Sequence, residues 1–114
     1  MDQGLMDLRK RMIETSMKFI RAQRNLLKAA APNARRSKTK LKEAVEEYLK
    51  EAEPYEAALK ELREYLIAAE PTEAIVKELD HTERFIDALE SEKKVGLKLR
   101  THHLNERSQF WRYR

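Results

Sequence analysis

The 114-residue chain lacks cysteine and contains only two glycines and three prolines. The absence of cysteine excludes disulfide bonds and thiolate chemistry, and it fits a reducing, intracellular compartment such as the cytoplasm. So little glycine and proline provides too few turns for a β-sandwich or a β-barrel. No apolar run approaches the ~18 residues that a membrane-spanning helix needs. These absences favour a helical protein without a transmembrane segment.

Residues that favour helix are abundant, above all Ala, Leu, Glu, Lys and Arg. The length is typical of one domain. We therefore predict an all-α fold, an elongated antiparallel bundle of three long helices at about residues 3–30, 38–69 and 72–94. Residues 1–96 are expected to form this bundle, and residues 97–114 a short, basic and aromatic C-terminal helix or tail.

Charge is segregated along the chain, although its sum is only +4. Residues 1–40 carry eleven basic and three acidic side chains, residues 41–92 carry six and sixteen, and residues 93–114 carry seven and one. The three blocks therefore have net charges of +8, −10 and +6. Such blocks can be tails, faces of a bundle or contact surfaces for partners. Their order predicts two basic surfaces separated by an acidic helical spine.

Two rows of apolar residues follow the helical period in the first predicted helix. The first row is expected to face the core. It is spaced by three and four and consists of Leu5, Leu8, Met12, Phe19, Ala22 and Leu26, with Thr15 at the position between Met12 and Phe19. The second row repeats every seventh residue and consists of Met6, Ile13, Ile20 and Leu27. Because two rows exceed what one small bundle requires, the second predicts oligomerisation or docking. The side opposite the first row is mostly basic.

A heptad seam runs without interruption through the second predicted helix. It consists of Leu41, Val45, Tyr48, Ala52, Tyr55, Leu59, Leu62, Leu66 and Ala69. Pro54 lies inside this seam, where proline removes one backbone hydrogen bond. Because the seam keeps its phase across Pro54 and no Gly or Asn is present to cap a reversal, we favour a kinked continuous helix over a hairpin.

A tandem repeat contains another proline. Residues 47–62 and 64–79 match at eleven of sixteen positions, and both copies contain Glu-Pro. At Pro71, unlike Pro54, the apolar phase changes, because continuing it would place Glu73 in the core. The new seam consists of Ile75, Leu79, Thr82, Ile86 and Leu89. We predict a turn here, with Pro71 near the first position of the third helix and Glu73 in its first turn.

The third helix is predicted to end near Gly96, because glycine commonly caps the C-terminus of a helix. The segment that follows is basic and ends in three aromatic residues interleaved with arginine. Its apolar spacing fits a short helix better than an extended stretch.

The two basic segments are the strongest functional signal, because lysine and arginine bind phosphate and aromatic rings stack on unpaired bases. We expect a non-enzymatic accessory subunit of a nucleoprotein assembly that contacts the nucleic-acid backbone through both ends of the chain. The candidate contact residues are Lys10, Lys18, Arg21, Arg24, Lys28, Arg35, Arg36, Lys38, Lys40, Lys98, Arg100, Arg107, Trp111, Arg112, Tyr113 and Arg114. In outline the chain is similar to small helical subunits of RNA-guided effector complexes or phage DNA-handling machinery, although no motif identifies a family.

Other interpretations of these residues stay open. The basic first helix can neutralise the acidic central helices, with Phe110 and Trp111 closing the core. The chain can instead be a protein interaction module, such as an adaptor, inhibitor or chaperone-like bundle, that acts through its acidic heptad face or its basic aromatic tail. Self-association, an acidic protein and a membrane surface are further candidate contacts.

A metal-binding bundle is a weaker hypothesis. Glu78 and His81 have the E-x-x-H spacing of di-metal carboxylate bundles. Further candidate ligands are Glu47, Glu64 and Glu83. Glu78 and His81 flank the third apolar seam, so that solvated side chains are the favoured interpretation. His102 and Glu106, one helical turn apart and next to His103, form a second weak candidate.

Catalysis has little support in the sequence. It contains no G-x-S-x-G, no glycine-rich phosphate loop and no H-E-x-x-H, and no serine has the spacing of an activated nucleophile. We expect neither enzyme activity nor a cofactor.

Overall fold

The computed structural model describes the backbone of residues 3–31 and 38–112, and the side chains of residues 3–31 and 40–100. Three helices account for nearly all of it: α1 (Gln3–Ala30), α2 (Lys38–Ala68) and α3 (Glu73–Arg112). These ranges contain no β-strand. The molecule measures 64 × 21 × 19 Å. The predicted elongated, all-α bundle of three long helices is confirmed.

The direction of each helix follows from its side-chain contacts. The ring of Phe19 in α1 lies 5.0 Å from that of Tyr48 and 5.5 Å from that of Tyr55, both in α2. Side chains of α1 also pair with α3 at a constant separation of 69 positions, first Arg9 with Glu78 and then Gln23 with Glu92. A constant separation means that α1 and α3 run parallel and in register. The bundle is therefore up-down-up, with α2 antiparallel to both neighbours.

The core consists of the three apolar seams that the spacing predicts. Its buried residues are Phe19, Ala22 and Leu26 of α1, Val45, Tyr48, Ala52, Ala58, Leu59, Leu62 and Leu66 of α2, and Thr82, Ile86 and Leu89 of α3. Most of them belong to α2, because only this helix packs along both others. The heptad seam of α2 is thus covered by α1 and α3, and α2 exposes mainly its charged side to solvent.

The two repeated Glu-Pro motifs have different structures. Pro54 lies within α2, which continues through it to Ala68, so a hairpin at this point is excluded. The bend at Pro54 stays a prediction. Pro71 lies in the turn between α2 and α3, as predicted. The helix starts one residue later than expected, because the Thr72 hydroxyl accepts a 3.3 Å hydrogen bond from the Ile75 amide and thereby caps α3. Glu73 lies in the first turn.

The predicted end of the third helix near Gly96 is wrong. The backbone of α3 continues through Gly96 to Arg112, and Gly96 has no left-handed conformation. Gly96 is instead buried against α2: a Cβ atom at this position would lie 2.9 Å from Cδ2 of Leu49 and 3.0 Å from Cε1 of Tyr48. A side chain at this position would therefore have to displace the Leu49 side chain and the ring of Tyr48. A separate role for residues 97–114 stays a prediction.

We expect Gly96→Leu to lower the free energy of unfolding by about 1–3 kcal/mol, because the added side chain overpacks the contact with Tyr48 and Leu49. The matched control is Ser91→Leu, at an exposed position of the same helix, which should change stability by less than about 0.5 kcal/mol. Urea denaturation followed by circular dichroism measures both. Equal stability of the two variants would contradict this role of Gly96.

Candidate binding surface

Five of the predicted cations form one exposed surface on the outer side of α1, which we call the basic row. Its members are Lys10, Lys18, Arg21, Arg24 and Lys28. None of the five forms a salt bridge with another side chain of known position. The basic row therefore presents its charge to solvent.

One edge of the basic row meets acidic residues of α2. Lys18 and Arg21 line a shallow groove of about 240 Å³ together with Glu47 and Glu51. This proximity fits the neutralising interpretation at that edge only, since no ion pair joins these four side chains. The other members of the row do not line this groove.

The remaining predicted contact residues are only partly described. Lys40, Lys98 and Arg100 are exposed, and Nη1 of Arg100 lies 3.5 Å from Oε1 of Glu46. The others, whose side chains lie outside the described residues, are Arg35, Arg36, Lys38, Arg107, Trp111, Arg112, Tyr113 and Arg114.

The topology brings the end of α1, the start of α2 and the exposed cations of α3 to one end of the bundle. Given the separation of 69 positions between α1 and α3, the end of α1 at Ala30 lies level with Leu99 of α3. The antiparallel α2 begins at this same end, with Lys38. Lys28 of α1 and the exposed Lys98 and Arg100 of α3 therefore lie near a common end, whereas the other cations of the basic row run along α1. The expectation of two basic surfaces separated by an acidic spine stays a prediction.

The second apolar row of α1 lies beside the basic row and is exposed, as its spacing predicts. This apolar row of α1 consists of Met6, Ile13, Ile20 and Leu27, whereas the exposed Met17 lies among the cations of the basic row. Their exposed fractions run from 43% for Ile20 to 67% for Leu27, whereas the core-facing Phe19 and Leu26 are buried. No described part of the bundle covers this row.

Side chains rather than close backbone packing join α1 to α3. No Cα atom of α1 lies within 8 Å of a Cα atom of α3 among the described residues. Arg9 Nε donates to Glu78 Oε2 at 2.9 Å, and Gln23 Nε2 donates to Glu92 Oε1 at 3.0 Å. These polar bridges form the floor of a groove between α1 and α3, on the side opposite α2.

Glu92 connects all three helices. Besides Gln23, its carboxylate accepts a 2.8 Å hydrogen bond from the buried hydroxyl of Tyr48. Burial raises the pKa of Tyr48, and the hydrogen bond to the Glu92 carboxylate raises it further. In Arg9, the hydrogen bond to Glu78 raises the pKa of the guanidinium. Both donors therefore keep their protons at physiological pH.

A second charged cluster fixes α3 against α2. Lys93 donates to Glu56 Oε2 at 3.0 Å and lies 2.9 Å from Glu53 Oε1, while Lys60 donates to Glu56 Oε1 at 3.1 Å. Burial opposes ionisation of Glu56, but the hydrogen bonds from Lys93 and Lys60 hold the pKa of its carboxyl below the ordinary value. Ionised Glu56 thus stabilises the fold.

The candidate metal ligands are not assembled into a site. Both carboxylate oxygens of Glu78 bind Arg9, and His81 is exposed. The described part of the chain contains no group of three or more His, Asp or Glu side chains that could hold a metal ion. The side chains of His102, His103 and Glu106 lie outside it. The absence of enzyme activity stays a prediction.

Comparisons of the chain with protein-family models, curated proteins and solved structures find no match. None of the helices, over the residues that are described, is long and apolar enough to cross a membrane.

We expect Glu56→Gln to lower the free energy of unfolding at pH 7, because it removes a carboxylate whose pKa is depressed in the folded state. The ionised Glu56 contributes to the free energy of unfolding at any pH above the carboxyl pKa of the unfolded chain, which is about 4.3. This contribution is lost as the pH falls through the lower pKa of Glu56 in the folded protein. The difference from the wild type should therefore disappear in acid. Denaturation at several pH values measures this.

The matched control is Glu53→Gln. Glu53 also contacts Lys93, but its side chain is 67% exposed, so water screens the interaction and the expected loss is smaller. A Glu56→Gln deficit that is independent of pH would contradict the role assigned to its charge.

Proposed function

We propose that this protein is a non-enzymatic accessory subunit of a nucleoprotein assembly that holds the phosphate backbone of nucleic acid along the basic row of α1. The observation that carries the proposal is that five cations lie exposed on one side of α1 without an ion-pair partner among the described side chains. Unpaired surface cations attract phosphates without regard to base sequence.

The dimensions of the basic row suit a nucleic-acid strand. From Lys10 to Lys28 the row runs about 27 Å along the helix, at 1.5 Å per residue. This length spans several successive phosphates. Because the side chains are long and solvated, they can follow the spacing of the phosphates and release bound counterions.

The shared end of the bundle supports a continuation of this surface. The end of α1, the start of α2 and the exposed Lys98 lie there together. Arg35, Arg36 and Lys38 belong to the connection or to the first turn of α2, so their predicted phosphate contacts would extend the row. The aromatic C-terminal residues stay candidate stacking contacts.

The competing interpretation is that the basic row only balances the acidic charge of α2. The groove with Glu47 and Glu51 favours it for Lys18 and Arg21. It does not account for Lys10, Arg24 and Lys28, which face solvent without forming a described ion pair. Binding to nucleic acid accounts for all five.

The test is fluorescence anisotropy with a labelled 20-nucleotide RNA and a DNA duplex over a salt series. We expect binding at about 50 mM salt that weakens steeply as salt rises. The triple variant Lys18→Gln, Arg21→Gln, Lys28→Gln should bind at least tenfold more weakly. The slope of log affinity against log salt should fall by roughly 2 to 3 in that variant.

The matched control removes the same charge elsewhere, with Lys42→Gln, Lys50→Gln and Lys94→Gln at exposed positions of α2 and α3. If both triple variants lose affinity equally, net charge rather than the basic row is responsible. If the wild type binds neither probe at about 50 mM salt, the proposal is wrong.

A further inference from the structure

Most of the exposed large apolar side chains of this bundle lie around one groove. Eleven such residues are exposed among the described side chains. Seven border the groove between α1 and α3: Met6, Ile13, Ile20, Leu27, Phe85, Val95 and Leu99. The other four are Met17, Ile67, Val76 and Leu97. A scatter of unrelated surface residues would not concentrate in this way.

The contacts between α3 and α1 show on which side of α3 the exposed Phe85, Val95 and Leu99 lie. Glu78 and Glu92 both face α1, and Phe85 lies midway between them at heptad spacing. Leu99 continues the same spacing by seven residues, so Phe85 and Leu99 lie on the α1 side of α3. Val95 is three residues from Glu92 and therefore borders this side.

The same contacts show which exposed residues of α1 form the opposite wall of the groove. Arg9 and Gln23 face α3. Ile13 follows Arg9 by four residues and Ile20 precedes Gln23 by three, so both border the side that faces α3. The groove thus has an apolar wall on each helix and the polar bridges as its floor.

We propose that this groove is a docking site for one amphipathic helix of a protein partner, which would complete a four-helix bundle. The seven residues expose on the order of 700 Å², more than a monomer usually shows as one patch and close to one partner's share of a standard interface. Two parallel helices separated by side-chain bridges leave the concave, elongated space that a helix fills.

The charge beside the groove defines the partner helix. Lys10, Arg24 and Lys28 lie along its α1 rim and form no described ion pair. A helix with acidic residues flanking its apolar stripe would complement this rim. A second copy docking through the same groove would oppose cations to cations, which disfavours self-association here.

The shape disfavours a membrane as the occupant. A lipid surface is broad and flat, whereas these apolar side chains line the two walls of a narrow groove between helices.

The experiment uses a synthetic 21-residue helical peptide with Leu at heptad positions a and d and Glu at e and g, and a matched peptide with Lys at e and g. Isothermal titration calorimetry measures binding to the full chain. The Glu-flanked peptide should bind at least tenfold more tightly. Its affinity should fall at least tenfold in Ile20→Gln, Phe85→Gln, which removes one apolar side chain from each wall.

The matched control is Ile67→Gln, Val76→Gln, which removes two comparably exposed apolar side chains outside the groove and should leave peptide affinity unchanged. Because all four positions are exposed, thermal unfolding should show that both double variants keep the fold. Both double variants leave the cations of the basic row in place. A loss of peptide affinity in Ile20→Gln, Phe85→Gln therefore tests the groove, whereas the anisotropy experiment tests nucleic-acid binding.

Several results would overturn the proposal. One is that the Glu-flanked peptide does not bind, and another is that the Lys-flanked peptide binds with equal affinity. A third is that the control variant Ile67→Gln, Val76→Gln loses as much affinity for the Glu-flanked peptide as Ile20→Gln, Phe85→Gln does. A dimer of the wild type in sedimentation that Ile20→Gln, Phe85→Gln dissociates would assign the groove to a second copy. Sedimentation with phosphatidylglycerol vesicles that this double variant abolishes would assign it to a membrane.

Discussion

The whole architecture depends on the burial of one apolar seam, that of α2, between two helices that run parallel to each other. Leu59, Leu62 and Leu66 are almost fully buried in it, and Phe19 of α1 packs on Tyr48 across it. Because α2 supplies the contact for both neighbours, α1 and α3 need no close backbone contact and meet only through side chains. This leaves a basic outer side on α1 and an open groove beside α3.

Helical periodicity was sufficient to predict the helices and their buried sides, since burial of a continuous seam is a local property of the sequence. Gly96 shows where local rules fail. Glycine ends helices when it adopts a left-handed conformation, but Gly96 does not adopt one and lies inside α3. A side chain at this position would require the ring of Tyr48 to move. That requirement comes from the other helix and cannot be recognised in the residues around Gly96.

The surfaces were predictable only in part, for the same reason. The exposed second row of α1 follows from its heptad spacing, but its association with Phe85, Val95 and Leu99 depends on the register between α1 and α3. Likewise, the charge blocks are visible in the sequence, whereas the placement of Lys28, Lys98 and Arg100 near one end of the bundle requires the chain reversals. Register and reversal are tertiary properties, set by packing on α2.

The central claim is that the outer side of α1 is the surface that binds nucleic acid. Amide chemical-shift mapping of the 15N-labelled protein, titrated with single-stranded RNA, tests this claim most directly. The account predicts that the largest amide chemical-shift changes occur at and around Lys10, Arg21, Arg24 and Lys28 of α1. Changes centred on the exposed side of α2, or none at saturating RNA, would contradict it.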